Sequence, residues 1–203
     1  MSDIILIFAQ SNLDNLERCD FISAYAQFGN KTKQTLYRLA DFYTLFYLRY
    51  VENNTTRDEQ YWQHHFTDLS VEAWEGFTFE ELCLHHLPHI KAGLGISGIA
   101  TESSSWRFVP KKGDNRKGAQ IDLVISRADK IINLVEMKFS ETPYIIKKDY
   151  EQQLIQRKAL FMEVTGIGCG PVHTFITPMG VSPGIHSSIV HSQLTAKHLF
   201  ASL

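Results

Sequence analysis

Asp122, together with Glu136 and Lys138 in Glu136-Met137-Lys138, supplies the residue types that metal-assisted hydrolysis needs. An acid two places before a lysine is a weak signal alone, because 22 acidic residues and 12 lysines in 203 positions yield about one such pair by chance. Its position strengthens it. Period-two alternation sets Ile132, Leu134, Glu136 and Lys138 on one face of a strand, so an apolar row ends in two charges. A simple hairpin centred on Asp129 brings Asp122 opposite Glu136, where like charges repel unless a cation or proton lies between them. Such a pair of oxygen ligands, with positions left for water and substrate, suits Mg²⁺ or Mn²⁺ better than zinc, which prefers His and Cys. Lys138 could stabilise a pentavalent phosphate or help deprotonate attacking water, and Glu80 from a preceding helix could hold water beside the metal. The competing reading is a structural ion network in which Asp122 and Glu136 pair with Lys138 and with Arg107 or Arg127.

Elements to position these groups are legible along the chain. Strands are expected at 103–109, 118–126 and 131–139, the last two joined by the polar turn 127–130. A mostly buried helix is expected at 74–87, ended or kinked by Pro88, and an amphipathic helix at 148–164 with Leu154, Ile155, Ala159, Phe161, Met162 and Val164. A strand at 172–177, another at 187–190 and a short helix started by Thr195 complete an α/β layout with a mixed central sheet flanked by helices. Earlier, a helix tail at Leu13 and Leu16 leads into a hairpin, residues 21–28 and 35–39, turning at 29–31. This pattern is half of a winged-helix module. Residues 40–51, apolar on most sides, read as a linking helix buried between two layers. The polar stretch 52–60 marks the boundary between residues 1–55 and 56–203.

The overall charge of −2 hides an asymmetry. Residues 1–80 hold six basic and twelve acidic side chains, whereas 81–203 hold fourteen and ten, so a polyanionic partner belongs to the second part. Within it Arg107, Lys111, Lys112, Arg116 and Lys117 are offset by Asp114 alone, and Lys147, Lys148, Arg157 and Lys158 follow; the plain alternative is a solvated loop and helix face. The hydrophobic content of 44% suits a globular core, the early apolar run 4–9 is too short to span a bilayer, and Asp3 argues against a signal peptide. A cytoplasmic protein without membrane association is expected. Cys19, Cys83 and Cys169 are too scattered for a disulfide framework and read as small core residues. Pro88 interrupts the spacing of His85, His86 and His89, which argues against zinc, and aromatics at 42, 43, 46, 47 and 50 read as core.

The segments 118–125 and 133–140 resemble the core of the PD-(D/E)XK nuclease superfamily. More narrowly, they and the stretches 74–83, 104–108 and 36–42 resemble the C-terminal nuclease-like domain of a family of bacterial and archaeal AAA-type ATPases, over roughly residues 13–200. The resemblance implies a restriction-endonuclease-like domain after a partial winged helix. It also implies Asp122 and Glu136 as metal ligands, Lys138 as the catalytic lysine and Glu80 as the helix glutamate, with Gln152, Gln153 or Lys158 as the polar residue of the following helix. Mg²⁺ or Mn²⁺ is the implied cofactor. No Gly-x-x-x-x-Gly-Lys-Ser/Thr occurs, so the chain carries no ATP site and ATP-dependent functions are not transferred to it. The expected activity is nuclease, DNA ahead of RNA, with Arg107, Lys111, Lys112, Arg116, Lys117 and Lys158 gripping the backbone. The alternative is a non-catalytic accessory domain that binds nucleic acid or docks on an ATPase, with self-association through the N-terminal part as a further partner mode.

Overall fold

The computed structural model describes residues 2–29, 36–52, 54–56, 58–66, 68–168 and 170–203, without the side chains of 2–9. Among the described residues the chain is an α/β protein with a five-stranded mixed sheet, seven α-helices and a separate two-stranded hairpin. It clusters into two compact units: the described residues of Met1–Ala26 with Thr32–Trp74, and those of Gln27–Lys31 with Glu75–Leu203.

In the first unit, α1 (Ser2–Arg18) reaches further back than the tail expected at Leu13. It ends where Asp20 takes a left-handed φ of 58° and the Asp20 and Phe21 N–H groups fold back onto the Glu17 and Leu16 carbonyls, each at 3.0 Å. β1 (Ile22–Tyr25) and β2 (Leu36–Leu39) form the expected antiparallel hairpin, with Ile22 opposite Leu39. The expected turn residues Asn30 and Lys31, and Thr35, lie outside the described residues. The Asp41 carboxylate caps α2 (Phe42–Phe46) by accepting the Thr44 N–H at 2.6 Å, and the helix continues as one π-turn, Tyr47–Val51. The expected burial of this segment on most sides is corrected, because Tyr43 is 72% exposed and Tyr47, Leu48 and Val51 also face solvent. Only one stripe finds partners. Phe46 and Tyr50, four residues apart, meet Trp62 of α3 (Tyr61–His65) and Trp74, mostly edge-to-face, with centroids 5.2–5.9 Å apart.

The two units divide inside α4 (Leu69–His85), between Trp74 and Glu75. Pro88 sits in the first turn of α5 (Leu87–Gly93), where its missing N–H has no helical partner to lose. Then come β3 (Thr101–Phe108), β4 (Ala119–Arg127), β5 (Ile132–Met137), α6 (Lys148–Thr165) and β6 (Pro171–Ile176). The strand expected at 187–190 is displaced: a 3₁₀ turn fills Ile185–Ile189, and β7 is Val190–Leu194, followed by α7 (Ala196–Leu199). β7 has a polar sequence that announces no strand, and its parallel pairing with β6 makes it one.

The sheet order is β3-β4-β5-β6-β7, antiparallel as far as β5 and parallel beyond. One face packs Leu123, Ile125, Val135, Met137 and Ile176 against Phe79 and Cys83 of α4 and Ile90 of α5. The other packs Trp106, Ile121, Val124 and Leu134 against Phe161 of α6, a fully buried ring of the kind that contributes about 1.5–3 kcal/mol by leaving water. On α6 only Leu154 and Phe161 are buried, while Ile155, Ala159 and Val164 lie exposed, so its apolar stripe is narrower than expected. Before β6, Gly170 has φ +100°, and a Cβ there would meet the Lys130 carbonyl oxygen at 2.3 Å, so no other residue fits without backbone movement. Cys83 is buried as expected; Cys19 is exposed, because α1 ends in solvent there, and Cys169 lies outside the described residues. Among the described residues no helix is long and apolar enough to cross a membrane.

Candidate functional site

The β4–β5 hairpin has the register expected from its turn. Leu123 faces Val135, Val124 faces Leu134, Ile125 faces Asn133 and Ser126 faces Ile132. Asp122 and Glu136 are the next residues in line, just past the last pair. A second feature alters the simple hairpin picture. Between β3 and β4, Ser104 pairs with Val124 but Trp106 with Ile121, so β4 carries one extra residue at 122–123. This bulge breaks strict alternation: Ile121 and Val124 join the α6 face, whereas Leu123 joins the α4 face. Asp122 stands at that crossover, and its charge is felt by Glu80 of α4 and by Glu136.

Each carboxylate has a distinct environment. Glu136 is only 5% exposed; its Oε2 accepts the Tyr150 hydroxyl at 2.8 Å, and both oxygens lie 3.2 Å from a terminal nitrogen of Arg157. Burial raises its pKa, partly offset by Arg157, Tyr150 and Lys138. The Asp122 Oδ1 accepts the Gln120 side-chain amide at 2.5 Å. Glu80 is half-buried, and burial together with the Asp122 charge pushes its pKa up to about 7, against the lowering effect of Lys138. Burial therefore favours the protonated form of both Glu80 and Glu136. Burial and Glu80 also raise the Cys83 thiol pKa, which makes it a poor nucleophile.

The counter-charge to Glu136 comes from Arg157, which in the sequence is one member of a basic run with Lys147, Lys148 and Lys158. Arg127 instead pairs with Asp129, and Arg107 is exposed. A sequence signal for Arg157 did exist, because Tyr150, Leu154, Arg157 and Phe161 share one stripe of α6 and two of them are the buried residues of that helix. Arg157 also donates to the Gln120 carbonyl at 3.0 Å, tying α6 to the strand that carries Asp122. Of the residues expected on this helix, Gln152 and Gln153 are exposed, with Gln153 beside Arg157 on a cavity wall. Lys158 lines a different cavity with the buried His173.

A cavity of about 730 Å³ is lined by Gln120, Tyr150 and Arg157, the hydrogen-bond partners of Asp122 and Glu136, and its walls carry Arg116, Lys117, Lys138 and Arg157 against one acid, Glu163; Glu80, Asp122 and Glu136 themselves do not line it. The cations are not equivalent. Arg116 is already paired with Asp114 and Glu163, at 2.7 Å each, and lies over the Phe108 ring. Lys111 and Lys112 are exposed in the loop after β3. Among the described residues, no group of three or more His, Cys, Asp or Glu side chains forms a ready-made metal cage. His86 bonds the Leu82 carbonyl at 2.9 Å and its ring meets that of His89.

No protein-family model matches the chain, and no curated protein matches it. A solved crystal structure described as a protein of unknown function, AF1548, aligns with 20% identity over 55% of this chain and 56% of that one, at a TM-score of 0.36. At that score the likeness carries no functional argument.

Proposed function

We propose that the second unit is a metal-dependent nuclease domain that hydrolyses phosphodiester bonds in nucleic acid, DNA ahead of RNA. The observation that carries this reading is the placement of Asp122 and Glu136 next in register on β4 and β5, with Glu80 of α4 close enough to feel both charges and with Lys138 and Arg157 lining a cation-rich cavity. From α4 to β6 the order is two helices, three strands, a helix and a strand; the run α5, β3–β5, α6, β6 is in keeping with the restriction-endonuclease-like core that the sequence resembles. On the same reading α1 and the β1–β2 hairpin correspond to the partial winged helix, and an AAA-type ATPase is the natural partner of the first unit.

The donor set fits Mg²⁺ or Mn²⁺. Two carboxylates, Asp122 and Glu136, are what Mg²⁺ commonly takes from a protein when water and substrate phosphate complete its shell, so a three-acid cage is not required. Burial first, and then the Asp122 charge, raise the Glu80 pKa to about 7, so this carboxyl can hold or release a proton near neutral pH. When bound, the ion supplies charge against the phosphate oxygens and acidifies water. The chain's own residues do the rest. Lys138 presents its ammonium to the phosphate, Glu80 exchanges a proton near neutral pH, Gln120 orients Asp122, and Lys117 holds the backbone.

One observation favours a second reading, a non-catalytic accessory domain that binds nucleic acid or docks on a protein. Glu136 is already satisfied by Tyr150 and Arg157, as in a structural ion pair. Cleavage assays on plasmid, linear and single-stranded DNA and on RNA, with Mg²⁺ or Mn²⁺ against EDTA, separate the two. Under the nuclease reading Asp122→Asn and Lys138→Ala each lower metal-dependent cleavage by about 100-fold or more while melting temperature moves little. Wild-type protein that cuts nothing at millimolar metal overturns the nuclease reading.

A further inference from the structure

We propose that Arg157 is the latch of the carboxylate site: its guanidinium holds the place on Glu136 that a divalent cation takes, and the cation enters as Arg157 lets go and turns to the phosphate. This rests on the nuclease reading and adds how the site is filled. Glu136 has almost no solvent access, and Arg157 and Tyr150 share its two oxygens. A cation reaching Glu136 must therefore displace a partner. Tyr150 is neutral and donates a single bond, so the cation's charge repels Arg157 far more strongly.

The grip of Arg157 is suited to release. One terminal nitrogen serves both Glu136 oxygens at 3.2 Å, an end-on contact at the long limit of charge-assisted bonding, instead of two short parallel bonds. The guanidinium is a fifth exposed and borders the cavity, so it has somewhere to go. Its other bond, to the Gln120 carbonyl at 3.0 Å, keeps it beside Asp122 when Glu136 is surrendered. Lys117 and Lys138 line the same cavity, and a freed planar fork adds the bidentate phosphate contact that lysines lack.

The test is calorimetric titration of the full chain with Mn²⁺ alone, comparing wild type, Arg157→Gln and Lys138→Gln. A latch predicts that Arg157→Gln binds Mn²⁺ about tenfold tighter than wild type, whereas Lys138→Gln, which removes an equal charge without opening Glu136, gains about threefold at most. Equal gains in both variants reduce the effect to through-space charge and overturn the latch. Wild type and Arg157→Gln binding equally well overturn it too, while leaving the metal reading standing. Binding by neither protein overturns both. Should Arg157→Gln melt too low to titrate, the wild type decides: Mg²⁺ binding must shift the Arg157 guanidinium nitrogen resonances in NMR, and saturation without such a shift overturns the latch.

Discussion

Replacing Glu80 by Gln tests its raised pKa without any metal. Burial and the neighbouring Asp122 lift the Glu80 pKa from its ordinary 4.5 to about 7. A carboxyl whose folded pKa is raised contributes stability that is complete below 4.5 and is lost as pH climbs through about 7, because the native state then surrenders a proton it held. The gap between the two values corresponds to about 3 kcal/mol at full strength, and discounting it for a side chain still partly solvated leaves about 2 kcal/mol. Gln mimics the protonated acid at every pH. Wild type and Glu80→Gln should therefore melt together, within about 1 °C, at pH 4.5, and the variant should lead by about 4–8 °C at pH 8.5. Thermal melts in EDTA followed by circular dichroism give the difference directly, and taking it at each pH cancels the titration of groups that do not interact with Glu80. A difference that stays constant with pH, or a variant less stable than wild type at pH 8.5, would refute the reasoning.

Other perturbations probe separate parts of the molecule. Burial, then the charges of Lys158 and Arg157, lower the His173 pKa to about 4, and among the described residues neither ring nitrogen has a hydrogen-bond partner. Its contribution is present above 6.5 and lost as pH falls toward 4, so His173→Leu should gain on wild type in melts over that window, and an unchanged difference would count against it. Gly170→Ala drives a Cβ into the Lys130 carbonyl oxygen at φ +100° and should cost about 2–4 kcal/mol, read by urea denaturation; a loss under about 0.5 kcal/mol would contradict the close approach. For nucleic acid, Lys117→Ala should weaken binding and reduce its salt dependence, whereas Arg116→Ala should do less, since Asp114 and Glu163 already neutralise Arg116. Fluorescence anisotropy at several salt concentrations measures both, and a larger effect from Arg116→Ala would reverse that ranking.

What could be read from the chain alone follows the range of the interactions involved. The β4–β5 register was legible because a short turn at 127–130 sets it locally, with Lys130 taking the left-handed conformation at φ 69°. The limits of α6 were legible because Gly166 ends it at φ 72°, and α7 because Thr195 precedes it. The strand formed by the polar β7 sequence and the exposed side of the α2 segment were not. Strand pairing with β6 decides the first, and contact with Trp62 and Trp74 along one stripe decides the second.

The candidate site divides along the same line. Asp122, Glu136 and Lys138 could be named from sequence because the two acids sit on consecutive strands of one hairpin, with Lys138 just past the end of β5, where alternation and turn length act over a few residues. The bulge that re-aims Asp122 depends on β3, about 17 residues earlier in the chain, and the hold of Arg157 on Glu136 spans 21 residues through the docking of α6. Sequence therefore determined which acids and bases are brought to the open end of the β4–β5 hairpin. Only the tertiary structure decided which of them touch, which of them burial shifts toward the protonated form, and which cation holds Glu136, because burial and charge proximity are properties of the packed molecule and no local pattern encodes them.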